Sequence, residues 1–261
     1  MYKYIFGPVP SRRLGMSLGI DLIPAKICSL DCVYCEVGKT TQLTAERQEY
    51  IPFDEIKREL LDYFGKGDPD PDYFTFSGYG EPTLNSRLGD IIDLLKAQKP
   101  HIPVAVLTNG TLLYEAHVRR ALLKADIVLP SLDAVTEESF KAINRPADAV
   151  TIEKYVQGLM EFRKEYTGKM YLEVFILPGY NDGEREILAL RDAVRKIGPD
   201  KVQLNTLDRP GTEDGLRPAA RSQLLSIAGM LDMTAVEIIA APAQRENIVS
   251  YRKDAETAIL E

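Results

Sequence analysis

Short apolar runs with β character alternate with stretches of helical periodicity along nearly the whole chain, and this alternation restricts the fold more than any other feature. The β runs are 18–23, 73–76, 104–107, 127–132, 170–177 and 201–207, with 236–240 as a candidate seventh. Several are apolar on both faces, as strands of a parallel sheet are when crossover helices cover them. Between them, Phe53, Ile56, Leu60, Leu61 and Phe64 fall at i, i+3, i+7, i+8 and i+11. Ile152, Tyr155, Val156, Leu159 and Met160 fall at i, i+3, i+4, i+7 and i+8. Each set makes a stripe that faces a core. A third stripe, Ile187, Leu190, Val194 and Ile197, ends at Gly198-Pro199, the chemistry that stops a helix. Further helices are expected at 87–97, 114–124, 136–143 and 219–231.

Six βα units with short connections imply right-handed crossovers and a curved parallel α/β sheet, open or partly closed. A complete eight-stranded barrel needs two strands that the sequence does not supply. No linker rich in Ser, Gly or Pro divides the 261 residues. A single domain over 1–261 is therefore expected, with its core at about 18–207 and a C-terminal extension at about 208–261 that ends in a helical, charged stretch. The chain is 45% hydrophobic and 27% charged, which excludes intrinsic disorder. Its net charge of −7 opposes phosphate contacts, so a nucleic-acid partner is not supported unless a local basic rim exists. No apolar run reaches the ~18 residues of a membrane helix. The opening MYKYIFGPVPSRR lacks a signal core, which reads as cytoplasmic.

One connection departs from the repeat. About thirty residues, 24–52, join the first strand to the first helix, well beyond the ~12–15 residues at which an unstructured loop becomes unusual. This loop carries all three cysteines, Cys28, Cys32 and Cys35, in a C-x3-C-x2-C arrangement. An odd number clustered this closely suits no disulfide framework. Such thiolates can converge on one centre, and soft sulfur favours zinc, copper(I) or an iron–sulfur cluster. Structural zinc needs a fourth protein ligand, which would be His101, His117 or a carboxylate, and neither histidine lies close to the loop in sequence. A cubane held by three thiolates instead leaves one iron open to a small molecule. A zinc-binding interaction module and a non-catalytic iron–sulfur protein stand as the alternatives to an enzyme.

This cysteine spacing, with the aromatic Tyr34 just before the third cysteine, resembles the radical S-adenosylmethionine (SAM) superfamily. The resemblance implies a partial (β/α)6 TIM-like barrel of parallel strands with outer helices. It also implies an oxidoreductase-type enzyme with a [4Fe-4S] cluster on Cys28, Cys32 and Cys35, whose open iron chelates SAM. A one-electron donor such as flavodoxin or ferredoxin would drive cleavage of SAM to a 5′-deoxyadenosyl radical. That radical would abstract hydrogen from a tRNA nucleoside, a peptide or a metabolite. No catalytic side chain is assigned, because the substrate is not identified.

Parallel α/β sheets bind ligands at the carboxyl ends of their strands. There, Ser77-Gly78-Tyr79-Gly80-Glu81 is similar to the superfamily's glycine–glycine–glutamate motif, with Tyr79 at the first glycine position, and implies a site for the methionyl amino group. Asn109 closes the third strand. Ser131 and Asp133, on one face after the fourth, are candidates for the ribose hydroxyls or the SAM carboxylate. Tyr34 is a candidate cover for the adenine, and Asn205 and Arg145 are further candidates. Ser11-Arg12-Arg13 is a candidate phosphate or carboxylate contact. The stretch from Gly7 to Arg13, followed by the long cysteine loop, resembles the wybutosine-synthesis-like branch of Fe-S oxidoreductases. The chain has no further cysteines for the second cluster expected of true wybutosine enzymes.

Overall fold

The computed structural model describes residues 2–11, 13–233 and 235–239. Arg12, the last residue of the expected strand 236–240 and the expected helical end of the chain lie outside the described residues. In chain order the elements are β1 (Ile5–Ser11), β2 (Gly15–Ile20), β3 (Ile27–Cys28), β4 (Gln42–Leu43), α1 (Phe53–Gly65), β5 (Tyr73–Phe76), α2 (Leu88–Gln98), β6 (Val104–Thr108) and α3 (Ala116–Leu122). They continue with β7 (Ile127–Pro130), α4 (Glu137–Ile143), α5 (Ile152–Glu165), β8 (Lys169–Phe175), α6 (Glu184–Ile197), β9 (Lys201–Asn205), α7 (Arg221–Leu231) and β10 (Val236–Ile238).

Eight strands form one sheet in the order β1-β2-β5-β6-β7-β8-β9-β10. From β2 onward every pairing is parallel, and spatial order follows chain order, as successive βα units of one hand produce. Side chains of one parity from β5 to β8, among them Tyr73, Ala105, Leu107, Ile127, Leu129 and Tyr171, meet one another and Leu14 in a cluster separate from the main core. Arg13, just before β2, pairs at 2.8 Å with Glu173 on β8, four strands along the sheet order; a flat sheet would hold those strands about 19 Å apart, so the sheet curves into an incomplete barrel with these side chains in its lumen. Leu14, at the tip of the β1–β2 hairpin, plugs that lumen.

The opposite face carries the main core against the helices. α5 buries Ile152, Tyr155, Gly158, Leu159 and Phe162 along the expected stripe, and α6 buries Ile187, Leu190, Val194 and Ile197. α6 stops at Gly198, whose φ of +67° is the left-handed geometry that a glycine cap supplies. α1 rotates slightly from expectation: it buries Ile56, Leu60 and Tyr63 while Leu61 is exposed. The first strand runs 15–20 rather than 18–23, and β1 is an addition to the sequence reading. Pro8 and Pro10 argue against a strand because proline cannot donate to a ladder. β1 is tolerated because it pairs antiparallel at the sheet edge, with a register irregularity between Phe6 and Val9. The candidate seventh strand is present as β10, parallel to β9. Among the described residues, no helix is long and apolar enough to cross a membrane.

Candidate functional site

The long connection after β2 is ordered by its own small ladder and by ties to distant segments. β3 pairs in parallel with β4, which sets Cys28 opposite Leu43. Asp31 N and Val33 N donate to the carbonyls of Asn144 and Ile143 at 3.0 Å, and Ala147 N donates to Ser29 O at 2.9 Å. Cys35 N donates to Cys32 O at 3.1 Å, a tight turn that brings the last two cysteines together. The segment after β9 crosses the loop from the other side, where Thr212 N donates to Val33 O at 2.9 Å. Gly211 is required there, since a Cβ would lie 2.7 Å from Val33 O.

The three thiols line one cavity of about 260 Å³ at the carboxyl ends of the barrel strands. Each has its own nitrogen donor: Asn109 Nδ2 lies 3.4 Å from Cys28 Sγ, Asn144 Nδ2 lies 3.4 Å from Cys32 Sγ, and Lys26 Nζ lies 3.0 Å from Cys35 Sγ. Burial, reinforced by Glu81, pushes the Cys28 thiol up to about 11, and burial with the nearby Asp133 pushes Cys32 higher still. Ionised sulfur here therefore needs a strong cationic partner. Among the described residues, no three His, Cys, Asp or Glu side chains converge closely enough to hold a single metal ion. Three separate thiols around one cavity, each met by a nitrogen donor, fit the corners of a polynuclear cluster better than one zinc ion.

The loop after β5 forms the next wall. Gly78, Tyr79, Gly80 and Glu81 all line the cavity. Gly78 lies against Asp21, where a Cβ would come within 2.1 Å of the carboxyl carbon, and a Cβ on Gly80 would lie 2.2 Å from Ile27 O. Asp21 in turn accepts from Tyr79 N at 3.0 Å, so an acid at the end of the first parallel strand holds this loop in place. Tyr79 itself points outward and is 62% exposed. The Glu81 carboxylate is buried and accepts from Thr83 N, Thr83 Oγ1, Thr108 Oγ1 and Asn109 N at 2.6–3.0 Å. It joins the ends of β5 and β6 and leaves the loop backbone free to face the cavity.

Asn109 bonds Ser29 Oγ at 2.9 Å as well as meeting Cys28, and Ser131 lines the cavity beside it. Tyr155 Oη donates to the carbonyls of both Asn109 and Ser131 and so braces these two strand ends. Tyr34 lines the cavity with its ring stacked on Phe175, centroids 3.8 Å apart, and donates to Asp133 at 2.5 Å. Asp133 is buried away from the cavity lining, and its carboxylate also accepts from Asn144 Nδ2 and Phe175 N at 2.7 and 2.9 Å. Burial pushes its pKa up to about 6 against these three donors. Asn205 is likewise outside the lining and donates to Glu173 at 2.9 Å. Arg145 sits at φ +47° and pairs with Glu213 at 2.7 Å, behind the cysteine loop.

Sequence reasoning missed Asp21, Lys26, Asn144, Glu173 and Phe175. Only strand parity, which aims Tyr171, Glu173 and Phe175 to one side, could have singled out the last two.

Residues 22–191 match the family model of the radical SAM superfamily. The chain belongs to the radical SAM superfamily. Members of this superfamily use a [4Fe-4S] cluster and SAM, and the donor set described above fits that pair. The chain is 39% identical over 214 residues to a UPF0026 protein of Methanocaldococcus jannaschii, covering 82% of this chain and 66% of that protein. It is 23% identical over 202 residues to a SAM-dependent tRNA 4-demethylwyosine synthase of Arabidopsis thaliana, covering 70% of this chain and 29% of the synthase. The chain thus spans between under a third and about two thirds of these relatives' own lengths. In fold it is similar to a radical SAM methyltransferase from Sphaerobacter thermophilus, with a TM-score of 0.67 at 14% identity over 85% of this chain and 65% of that one.

Proposed function

We propose that this protein is a radical SAM enzyme of the oxidoreductase type, acting on a substrate bound in the barrel lumen. When bound, the [4Fe-4S] cluster supplies one electron to the sulfonium of SAM, giving methionine and the 5′-deoxyadenosyl radical that takes hydrogen from the substrate. Cys28, Cys32 and Cys35 hold the cluster, and Asn109, Asn144 and Lys26 donate to their sulfurs. The backbone of Gly78, Tyr79 and Gly80 receives the methionyl ammonium group, held at its distance by Glu81 and Asp21. Ser131 and Asn109 serve the polar edge of SAM. Tyr34 offers its free ring face to the adenine, while Asp133 positions Tyr34. Asn205 acts through Glu173.

The observation that carries this reading is the convergence of three thiols, each with a nitrogen donor, on a cavity walled by the glycine loop. A single domain over 1–261, a cytoplasmic location and an electron donor of the flavodoxin or ferredoxin kind belong to the same proposal. A tRNA nucleoside, a peptide and a metabolite are the substrate classes in question. Anaerobic reconstitution should give about four irons and four sulfides per chain. The reduced protein should then release 5′-deoxyadenosine from SAM without added substrate. One zinc and no sulfide would contradict the reading, as would a full cluster that leaves SAM intact.

A further inference from the structure

The wall of the thiol cavity changes character from one side to the other. Its loop side carries the cysteines and the glycine loop, and its barrel side carries Leu107, Leu129, Ser131 and Glu173. Leu107 and Leu129 also belong to the side-chain cluster inside the barrel, so here the cavity and the lumen share a wall. Register places Thr108 beside Pro130 and Ser131 beside Glu173, which sets Asn109, Ser131 and Glu173 in one row across β6, β7 and β8. The row starts at Asn109, which meets Cys28. Glu173 extends it beyond the two residues proposed to serve SAM, to where Arg13 arrives from the hairpin that closes the lumen.

Only one oxygen of Glu173 is engaged. Arg13 Nη2 and Asn205 Nδ2 both donate to Oε1, at 2.8 and 2.9 Å. Oε2 meets no donor among the described residues, and unlike Arg13 Nε it is not sealed from solvent. The side chain keeps 16% of its surface exposed and lines the cavity, so a ligand can reach it. A buried ion pair adds little net stability, so packing does not explain a carboxylate fixed by two donors and left open at its second oxygen. Arg13 already balances its charge. What Glu173 offers the cavity is therefore an oriented acceptor rather than a net charge.

We propose that Glu173 is a substrate contact, and that its Oε2 accepts a hydrogen bond from an uncharged N–H or O–H group of the substrate, such as an amide or a hydroxyl. A carboxylate or phosphate would meet an acceptor there, and an ammonium group would compete with Arg13 for a charge already balanced. Arg13 and Asn205 are positioning residues, which fix the carboxylate in place. The inference rests on the reading of the chain as a radical SAM enzyme with its substrate in the lumen, and the test separates the two.

Cluster-reconstituted protein with SAM is titrated with N-methylacetamide and N,N-dimethylacetamide, two probes that differ by one N–H, and with methylammonium. Saturation transfer to the methyl protons reads each affinity. The wild type should bind N-methylacetamide about tenfold more tightly than N,N-dimethylacetamide, and methylammonium no better than the latter. In Glu173→Gln the carbonyl oxygen stays with Arg13 and Asn205 while the amide nitrogen replaces Oε2, which turns the acceptor into a donor, so the preference should vanish. Equal binding of the two amides by the wild type overturns the inference, as does a preference that survives in the variant. A wild type that favours methylammonium, or that binds no probe, also overturns it. A crystal of the loaded wild type soaked in N-methylacetamide decides without the variant: the probe nitrogen should lie within about 3.2 Å of Oε2, and a probe seated only elsewhere overturns the inference. So does a loss of SAM affinity of about tenfold in Glu173→Gln by equilibrium dialysis, which would give Oε2 to SAM itself. A wild type whose cluster spectrum ignores SAM overturns the underlying reading instead.

Discussion

At the scale of single residues, the site is built from groups that act through one another. Lys26, Asn109 and Asn144 each direct a nitrogen at one sulfur, and hydrogen bonds to cluster sulfurs stabilise the added electron of the reduced state. Lys26→Met should therefore make the reconstituted cluster harder to reduce. Loss of a charge-assisted bond of about 1.5 kcal/mol corresponds to on the order of 60 mV for one electron. A redox titration followed by EPR reads the shift directly, and an unchanged potential would remove Lys26 from this role. Asp133 makes a second residue-scale prediction. Its native carboxyl keeps a proton up to about pH 6, whereas the unfolded chain releases it near 3.8, the ordinary aspartate range. Between these values the native state binds more protons, so its stability falls as pH rises. Asp133→Asn removes that pH dependence. The unfolding midpoint of wild type relative to Asp133→Asn should drop from pH 4 to pH 6 and level off above, and a rise over that window would contradict the assignment.

At the scale of elements, strand ends matter more than strands. The β5 loop sits where it does because Gly78 admits the Asp21 carboxylate and Gly80 admits the Ile27 carbonyl. Gly78→Ala pushes a methyl group into Asp21 and should shift this loop, at about 1–3 kcal/mol of overpacking. SAM affinity, measured by equilibrium dialysis on the reconstituted protein, should weaken while the iron content set by the cysteine loop stays unchanged. Undiminished SAM binding would mean that the loop backbone does not meet the ligand. The helical stripes and the short apolar strands were legible because burial writes a period into the sequence. β1 was not, because Pro8 and Pro10 are compatible with a strand only at an edge, and edge position is a property of the assembled sheet. The cysteine spacing marked its loop plainly. Asn144 gave no such signal, since its nitrogen reaches Cys32 only after α4 has packed across the loop.

At the scale of the whole molecule, the sheet opens its carboxyl ends around the cysteines, while the β1–β2 hairpin closes the lumen with Leu14 and delivers Arg13 to it. Sequence order alone leaves open whether the sheet closes; the Arg13–Glu173 pair, which joins the hairpin beside β2 to β8 four strands away, fixes its curvature. Sequence also placed Asp133 and Asn205 among the ligand contacts, because both follow strands that end at the site. In the fold their side chains are engaged by Tyr34 and Glu173, so their part in the proposed site is to orient residues that face the cavity. The central claim is that three thiols hold a cluster with one iron open to SAM. Its most direct test is EPR of the reduced, reconstituted protein with and without SAM labelled with 17O in its carboxylate. The account predicts a changed spectrum with 17O hyperfine coupling to the cluster; an identical spectrum without coupling would contradict it.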